Sequence, residues 1–171
     1  RFLRQYNIRG SVRVGNKVVV VGGGYAAGDA ARTALRLGAE SVTIVYRRTR
    51  EEMPAYTEEI EEAEHEGVKL QLLTAPVEIV SKNDKVVGIK CRQMTLGEFD
   101  RSGRRRPEAK AENDFVIEAD QVIAAIGQSV DSRKLLDGVE VTLKKNNSIE
   151  TNPVSGQTSV KWLFAGGDAV T

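Results

Sequence analysis

The sequence predicts an α/β fold in three layers, with a central parallel sheet and an antiparallel β-meander. An apolar run, three glycines and a helical pattern follow one another over residues 17–38, which indicates a strand, a tight turn and a helix. A β-branched run at 41–46 comes only a few residues later, as a parallel crossover requires. Over residues 87–92 apolar side chains alternate with polar residues or glycine, which is typical of antiparallel strands.

The first elements are predicted from hydrophobic spacing. Residues 18–21 are consecutive valines, the pattern of a buried strand. After the glycines, small apolar residues recur at three- and four-residue spacing, which lets a helix lie close to a sheet. These residues are Ala27, Ala30, Ala31, Ala34, Leu35 and Leu37. Gly38 is expected to end this helix.

The later elements follow the same reasoning. Residues 51–66 carry eight glutamates, but Tyr56, Ile60 and Ala63 repeat at helical spacing, so we predict an amphipathic helix with a solvated acidic face. The predicted strands after it are 68–73, the meander strands 77–81, 86–94 and 115–119, a buried parallel strand at 122–126 and a short strand at 162–165. Basic and acidic residues balance over 98–114, which we interpret as a solvated hairpin, with a docking surface as the alternative.

Composition and charge restrict the class of protein. The chain has 171 residues, 40% of them hydrophobic, and its net charge is +1. These values predict one soluble domain that neither binds nucleic acid nor spans a membrane. Cys91 and His65 are single residues of their types, so we expect no disulfide, no metal site and no Ser/His/Asp catalytic group. The lone cysteine favours the cytoplasm, and the terminal residues Arg1 and Thr171 suggest a piece excised from a longer protein.

A glycine pattern lies directly between the first strand and the first helix. Gly22-x-Gly24-x-x-Ala27 has the spacing of the dinucleotide-binding turn in a Rossmann-like fold. There the first glycine permits a sharp turn, the second lets backbone N–H groups approach a pyrophosphate, and the small third residue keeps helix and strand close. The predicted cofactor site of this turn comprises Gly22, Gly23, Gly24, Tyr25, Ala26 and Ala27. The alternative is a glycine-rich turn that binds nothing.

Two arginines follow the second predicted strand. A site that prefers NAD(H) has Asp or Glu there to hold the ribose 2′-hydroxyl, whereas this chain has Arg47 and Arg48. Guanidinium groups bind a 2′-phosphate through charge-assisted hydrogen bonds, so the sequence predicts NADP(H) as the cofactor. The alternative is a solvated turn in which these arginines and Arg50 pair with Glu51 and Glu52.

Segments that span nearly the whole chain carry a resemblance to a known family. They are VVVVGGG and DAARTALRLGA at 18–24 and 29–39, VTIVYRRTREEMPA at 42–55, ADQVIAAIGQ at 119–128 and FAGGDAV at 164–170. They resemble the NADPH-dependent glutamate synthase small (β) subunit and its FAD/NAD(P)-dependent oxidoreductase relatives, in which an NADPH domain is inserted into an FAD domain. The resemblance implies a linker from the FAD domain at 1–15, the NADPH-binding domain at 16–160 and a truncated returning segment of the FAD domain at 161–171.

The resemblance also implies roles for individual residues. Gly22, Gly24 and Ala27 would approach the NADPH pyrophosphate, and Arg47 and Arg48 would bind the 2′-phosphate. Ile126 and Gly127 would line the nicotinamide side. Asp168 would bond the ribityl or phosphate region of FAD. Tyr25 departs from the short polar residue usual in the family, and Gly28 departs from a larger apolar one. The ring of Tyr25 is therefore expected to stack on the cofactor or to obstruct it.

The function that the resemblance implies is hydride transfer from NADPH to FAD, with onward transfer to iron–sulfur centres and no acid–base catalytic residue in this chain. FAD is expected in the full-length protein only. The implied partners are the FAD domain of the same chain and an iron–sulfur electron-transfer domain or a large glutamate synthase-type subunit. A ferredoxin–NADP oxidoreductase, a dihydropyrimidine dehydrogenase-like enzyme and a nucleotide-binding or sensing module without flavin are alternatives. Without a C-x-x-C motif, thioredoxin reductase chemistry is not expected.

Overall fold

A computed structural model describes residues 2–100, 103–127, 131–132 and 136–170. The chain divides into two units, residues 1–127 and 128–171, and each is described by itself. The helices and strands of the first unit are α1 (Phe2–Arg9), β1 (Lys17–Val21), α2 (Tyr25–Arg36), β2 (Ser41–Val45), α3 (Thr57–His65), β3 (Lys69–Gln71), β4 (Thr74–Lys82), β5 (Lys85–Phe99), β6 (Arg105–Glu118) and β7 (Gln121–Ala124).

Four strands form a parallel sheet in the order β3-β2-β1-β7. The central strand β1 places Val21 beside Val45 of β2 and beside Ala124 of β7. Since all four strands run in one direction, their carboxyl ends meet at the same edge of the sheet. The prediction of a central parallel sheet is confirmed.

Helices cover one face of this sheet. The alanine stripe of α2 is buried and packs with Val18 and Val20 of β1, because small side chains let the helix axis come close to the strands. Ala63 of α3 joins the same apolar cluster. Phe2 joins it as well, so α1 packs on this core although the sequence predicts only a linker over 1–15.

The meander covers the opposite face. Strands β4, β5 and β6 pair antiparallel in that order. Ile89 and Cys91 of β5 pack with Val19 and Val21, the β1 side chains that point away from the helices. Helices, parallel sheet and meander are therefore the three layers that the sequence predicts.

The acidic helix is shorter than its spacing predicts. Instead of one helix over 51–66, a 3-10 turn at Arg50–Glu52 is followed by α3, which begins at Thr57. Pro54 explains the break, since a proline disfavours the helical conformation of the residue before it. That residue, Met53, is extended, with φ −67° and ψ 131°.

The β5–β6 hairpin is longer than the sequence predicts. Its ladder reaches the pair Phe99 and Arg105, well beyond the predicted strands 86–94 and 115–119. The added length includes much of the stretch 98–114, in which charged residues hide the alternation that marks a strand. The predicted hairpin is therefore a continuation of the meander.

The second unit has little regular structure in its described residues. Isolated bridges join Leu143 to Ile149 and Gln157 to Phe164, and a 3-10 turn spans Gly167–Ala169. The strand predicted at 162–165 is wrong, because no described strand lies beside it and Trp162 and Phe164 stay exposed. The domain boundaries inferred from sequence stay predictions. No helix in the described ranges is long and apolar enough to cross a membrane.

Candidate functional site

The turn between β1 and α2 contains three glycines with different roles. Gly22 has φ +143°, and a Cβ there would lie 2.3 Å from the carbonyl oxygen of Ala125. A Cβ on Gly23 would lie 2.6 Å from the ring of Tyr46. Gly24 has φ −96°, and nothing lies within 4 Å of its Cβ position. Packing therefore explains the first two glycines, whereas the third faces open space.

The same turn presents backbone donors without acceptors. The N–H of Gly22 donates to the carbonyl of Val45 at 3.0 Å. The four N–H groups after it have no acceptor within the described part of the chain. They belong to Gly23, Gly24, Tyr25 and Ala26. Such groups at a helix N-terminus carry partial positive charge and form a site for an anion.

Tyrosines surround this turn. Tyr46 lies against Gly23 and donates its hydroxyl to the carbonyl of Glu52 at 2.7 Å. Tyr25 and Tyr56 meet edge to face, with ring centroids 5.2 Å apart. Hydrogen bonding with Tyr56 raises the pKa of Tyr25 to about 12, so this hydroxyl is neutral at physiological pH. Because Tyr25 is the first residue of α2, the ring pair stands beside the unpaired donors.

The two arginines after β2 have different surroundings. Arg47 is exposed and forms no ion pair or hydrogen bond with the described residues. Arg48 is only 4% exposed. Its Nη2 donates to Oδ2 of Asp100 at 2.8 Å, and its Nε donates to the carbonyl of Arg105 at 2.7 Å. Both contacts are with the end of the β5–β6 hairpin, so this hairpin holds Arg48.

The nearby glutamates do not neutralise this arginine pair. Glu52 accepts hydrogen bonds from the N–H (3.1 Å) and the hydroxyl of Thr49, which makes a capping box at the 3-10 turn. Arg50 pairs with Glu64 of α3. The sequence-based alternative, in which the arginines pair with Glu51 and Glu52, is not found among the described ion pairs.

The other predicted cofactor residues lie at two places. Ile126 and Gly127 follow β7 at the carboxyl edge of the sheet; Ile126 is 76% exposed and Gly127 has φ +92°. Asp168 is exposed in the 3-10 turn of the second unit. The first unit thus brings the glycine turn, the arginine pair and Ile126 to one edge. The cofactor roles of all these residues stay predictions.

Neither a reactive cysteine nor a metal-binding cluster lies at this edge in the described part of the chain. Cys91 is buried in the meander, and this burial raises its pKa to about 11, so the thiol stays protonated. Among the described residues, no group of three or more His, Cys, Asp and Glu is placed to hold a metal ion. The edge instead offers backbone donors and guanidinium groups.

Comparison with known proteins places the chain in a family. Residues 2–171 match the family of pyridine nucleotide-disulphide oxidoreductases. The chain belongs to this family. The resemblance to an FAD/NAD(P)-dependent oxidoreductase family that the sequence motifs carry is thereby confirmed.

Curated relatives of this pyridine nucleotide-disulphide oxidoreductase chain are much longer than it is. It is 44% identical to the NADP(+)-dependent formate dehydrogenase subunit beta of Moorella thermoacetica, over 99% of this chain and 24% of the relative. It is 41% identical to the NADPH-Fe(3+) oxidoreductase subunit beta of Geobacter sulfurreducens (98% and 28%). It is 40% identical to the glutamate synthase (NADPH) small chain of Escherichia coli (91% and 34%). The chain thus spans about a quarter to a third of these relatives.

Solved structures of other proteins share the fold of this oxidoreductase chain. Thioredoxin reductase from T. acidophilum aligns with a TM-score of 0.69 at 22% identity, over 91% of this chain and 44% of that one. The Lactococcus lactis thioredoxin reductase aligns with a TM-score of 0.67 at 20% identity, over 96% and 48%. At these identities the likeness concerns the fold alone.

Sequence reasoning did not identify two residues that lie near the carboxyl edge of the sheet in this oxidoreductase chain. Asp100 is 52 residues from Arg48 along the chain and stands out only as one charge in a mixed stretch. Tyr56 is counted in the apolar stripe of the predicted acidic helix. The signal that could have separated it is Pro54, which ends the preceding turn and leaves Tyr56 outside α3.

Proposed function

We propose that this chain is the NADPH-binding domain of a flavin-dependent oxidoreductase like the glutamate synthase small subunit. The observation that carries the proposal is that four backbone donors without acceptors among the described residues lie beside an exposed arginine. Val21 and Val45 are register partners on neighbouring strands, so the glycine turn and Arg47 begin at the same level of the sheet. A dinucleotide with an additional phosphate fits this combination.

The glycine turn is proposed to bind the pyrophosphate. Because the Cβ position of Gly24 faces open space, a phosphate oxygen can approach the N–H groups of Gly24 and Tyr25. Ala27 is fully buried and keeps the helix against β1, which holds these donors in place. The helix N-terminus adds about half a positive charge beside these donors. Together these contacts support the predicted roles of residues 22–27.

The arginine pair is proposed to bind the 2′-phosphate. Arg47 is free to turn toward a ligand, whereas Arg48 is already fixed by acceptors from the hairpin. No Asp or Glu stands at the end of β2 to bind a ribose 2′-hydroxyl. This arrangement favours NADPH over NADH.

The remaining residues are proposed to orient the cofactors. When bound, NADPH would supply a hydride to FAD, which in the full-length protein would pass the two electrons one at a time to iron–sulfur centres. The exposed apolar side chain of Ile126, with Gly127, is suited to contact the uncharged nicotinamide ring. Asp168 is proposed to bond the ribityl or phosphate region of FAD. In this scheme the chain binds and orients, and none of its side chains transfers a proton.

Partners and location follow from the same reasoning. The names of the three curated relatives all include NADP or NADPH, and each names a subunit or small chain. We therefore propose the FAD domain of the same chain as one partner and an iron–sulfur domain or larger subunit as another. The single cysteine supports a cytoplasmic location.

Calorimetric titration with NADPH, NADH and FAD tests the proposal. NADPH should bind roughly 30- to 1000-fold more tightly than NADH, since hydrogen bonds to charged groups contribute about 1.5–3 kcal/mol each. Arg47→Ala should reduce this preference about tenfold or more, because it removes an exposed phosphate ligand without disturbing the packing. Arg13→Ala removes an exposed arginine before β1 and serves as the charge-matched control.

The titration has outcomes that contradict the proposal. Equal affinity of the unaltered chain for NADPH and NADH would exclude the assigned 2′-phosphate site. FAD is expected not to bind this chain, because Asp168 alone does not make a flavin site. Purified protein with stoichiometric flavin absorbance would contradict that division between this chain and the full-length protein.

A further inference from the structure

Arg48 is attached at both its main chain and its side chain. Its carbonyl accepts the N–H of Leu73 at 3.0 Å, which ties the turn after β2 to the segment before β4. Its guanidinium donates to Asp100 and to the carbonyl of Arg105, at 2.8 and 2.7 Å. A planar guanidinium held at two of its nitrogens has its orientation fixed. Arg48 therefore connects the turn that carries Arg47 to the β5–β6 hairpin.

Asp100 uses its two carboxylate oxygens for different partners. Oδ2 accepts from Arg48, whereas Oδ1 accepts the N–H of Arg104 at 3.4 Å. The backbone of the same residue closes the end of the hairpin, since its N–H donates to the carbonyl of Arg104 at 2.7 Å and its carbonyl accepts the N–H of Gly103 at 3.0 Å. The hairpin end is thus a folded turn, and its carboxylate bridges that turn to Arg48.

One nitrogen of Arg48 is left for a ligand. Nη1 of Arg48 has no hydrogen-bond acceptor among the described residues. The Arg105 carbonyl and Asp100 therefore occupy Nε and Nη2, and Nη1 stays available to a ligand in the residue that follows exposed Arg47.

Fixing a guanidinium before a ligand arrives lowers the entropy lost on binding. A long arginine side chain otherwise loses rotamer freedom when it binds a phosphate. The carboxylate of Asp100 also reduces the cost of keeping a charged group at 4% exposure. Both effects favour the phosphate-bearing nucleotide and leave a nucleotide without the 2′-phosphate unaffected.

We propose that Asp100, at the end of the β5–β6 hairpin, is a positioning residue for NADPH specificity, because it holds Arg48 in the orientation that binds the 2′-phosphate. The proposal rests on the proposed NADPH-binding function. It assigns the meander a part in coenzyme selection, since its hairpin reaches across to the turn after β2.

The test compares NADPH and NADH affinities of Asp100 variants of the full chain by calorimetry. Asp100→Asn keeps an acceptor for the N–H of Arg104 but removes the charge opposite Arg48. We expect NADPH to bind about tenfold more weakly and NADH to bind unchanged. Asp100→Glu keeps the charge and should restore at least part of the preference. Circular dichroism shows whether each variant is folded. If Asp100→Asn is unfolded, Asp100→Ser replaces it, because serine also provides an acceptor for the turn.

Asp114→Asn is the matched control. Asp114 lies in the same hairpin and pairs with Arg92 at 2.6 Å, an interaction that lowers the pKa of its carboxyl to about 2. The control therefore loses an arginine–carboxylate pair of similar geometry without touching the turn after β2. The ratio of NADH to NADPH dissociation constants should stay at the wild-type value in this variant.

The outcomes separate the two proposals. If the unaltered chain prefers NADPH and the Asp100→Asn variant keeps that preference, the positioning role is wrong and the NADPH site stands. If the variant binds NADPH more tightly, Asp100 competes with the phosphate for Arg48, which also overturns the positioning role. If the unaltered chain binds NADPH and NADH equally, the 2′-phosphate site fails and the role of Asp100 fails with it.

Discussion

The backbone N–H groups at the two ends of β1 differ in whether they have acceptors. At the start of the strand, side chains from the beginning of β7 accept them. The N–H of Gly15 donates to Oε1 of Gln121 at 2.7 Å, and those of Asn16 and Lys17 donate to the two carboxylate oxygens of Asp120 at 2.9 and 3.0 Å. The N–H of Asp120 donates in turn to the carbonyl of Lys17 at 3.0 Å. The amino edge of the sheet is therefore fastened by side chains.

At the end of β1, the N–H groups of residues 23–26 have no acceptor in the described ranges. Glu59 of α3 carries a carboxylate close to Tyr25, but it accepts none of these N–H groups. A buried donor without a partner costs about 1–3 kcal/mol; Gly23 is buried, whereas Gly24, Tyr25 and Ala26 are accessible to water. The carboxyl edge can therefore exchange water for a ligand.

This difference indicates which substitutions affect stability and which affect binding. Open parallel sheets bind ligands at the carboxyl ends of their strands, and this is the edge where β1 is followed by N–H groups without acceptors in the described ranges. Substitutions at the start of β1 should therefore change the free energy of unfolding without changing coenzyme affinity. Substitutions that point into the open space at its end should do the reverse.

The largest effect is expected from Gly22→Ala, measured by urea unfolding. Its Cβ would meet the backbone oxygen of Ala125 at 2.3 Å, and its φ of +143° disfavours a side chain, so unfolding should become easier by about 2–5 kcal/mol. Gly24→Ala, with an ordinary φ and open space, should cost no more than about 1 kcal/mol.

Calorimetry of the same pair then separates packing from binding. Gly24→Ala should bind NADPH about tenfold more weakly or worse, because its methyl group occupies the approach to the helix N-terminus. A Gly22→Ala variant as stable as the unaltered chain would contradict the packing role of that glycine. Unchanged NADPH affinity in Gly24→Ala would show that the pyrophosphate does not bind at this turn.

A smaller effect is expected at the fastened end. Asp120→Ala removes the acceptors of two backbone N–H groups near the surface, which should lower the free energy of unfolding by about 1–2 kcal/mol. NADPH affinity should not change, because the altered residue lies at the opposite edge of the sheet. Glu61→Ala, which removes an exposed carboxylate on α3, is the control. A loss of NADPH affinity in Asp120→Ala would remove the distinction between the two ends of β1.

The smallest effect is expected from Tyr25→Asn. In the structure the ring lies against Tyr56 beside the unpaired donors, and a side chain that must move weakens apparent affinity by the fraction of time it blocks the site. Calorimetry should show NADPH bound about two- to fivefold more tightly. Tyr56→Phe, which keeps the ring and removes only its hydroxyl, shows whether the hydroxyl contact matters. Weaker binding in Tyr25→Asn would mean that the ring stacks on the cofactor.

The sheet, the alanine-rich helix and the meander could all be predicted from sequence, because each is a local pattern of side-chain period. The valines of β1 and the glycines after them specify a strand and a turn without reference to distant residues. The prediction was wrong at 162–165, where a short apolar run finds no described neighbouring strand, and the acidic helix was drawn too long across Pro54. The spacing of apolar residues alone indicates neither which strands pair nor where a proline interrupts a helix.

The sequence by itself determined the order of layers, the glycine turn and the presence of two arginines after β2. It did not determine that these arginines differ, because that depends on Asp100, which lies 52 residues from Arg48. Nor did it separate Gly22 and Gly23, which are glycines because Ala125 and Tyr46 approach them, from Gly24, which faces open space. Periodicity follows from local backbone geometry, whereas these assignments depend on contacts between distant segments, which form only when the sheet and the hairpin are folded together.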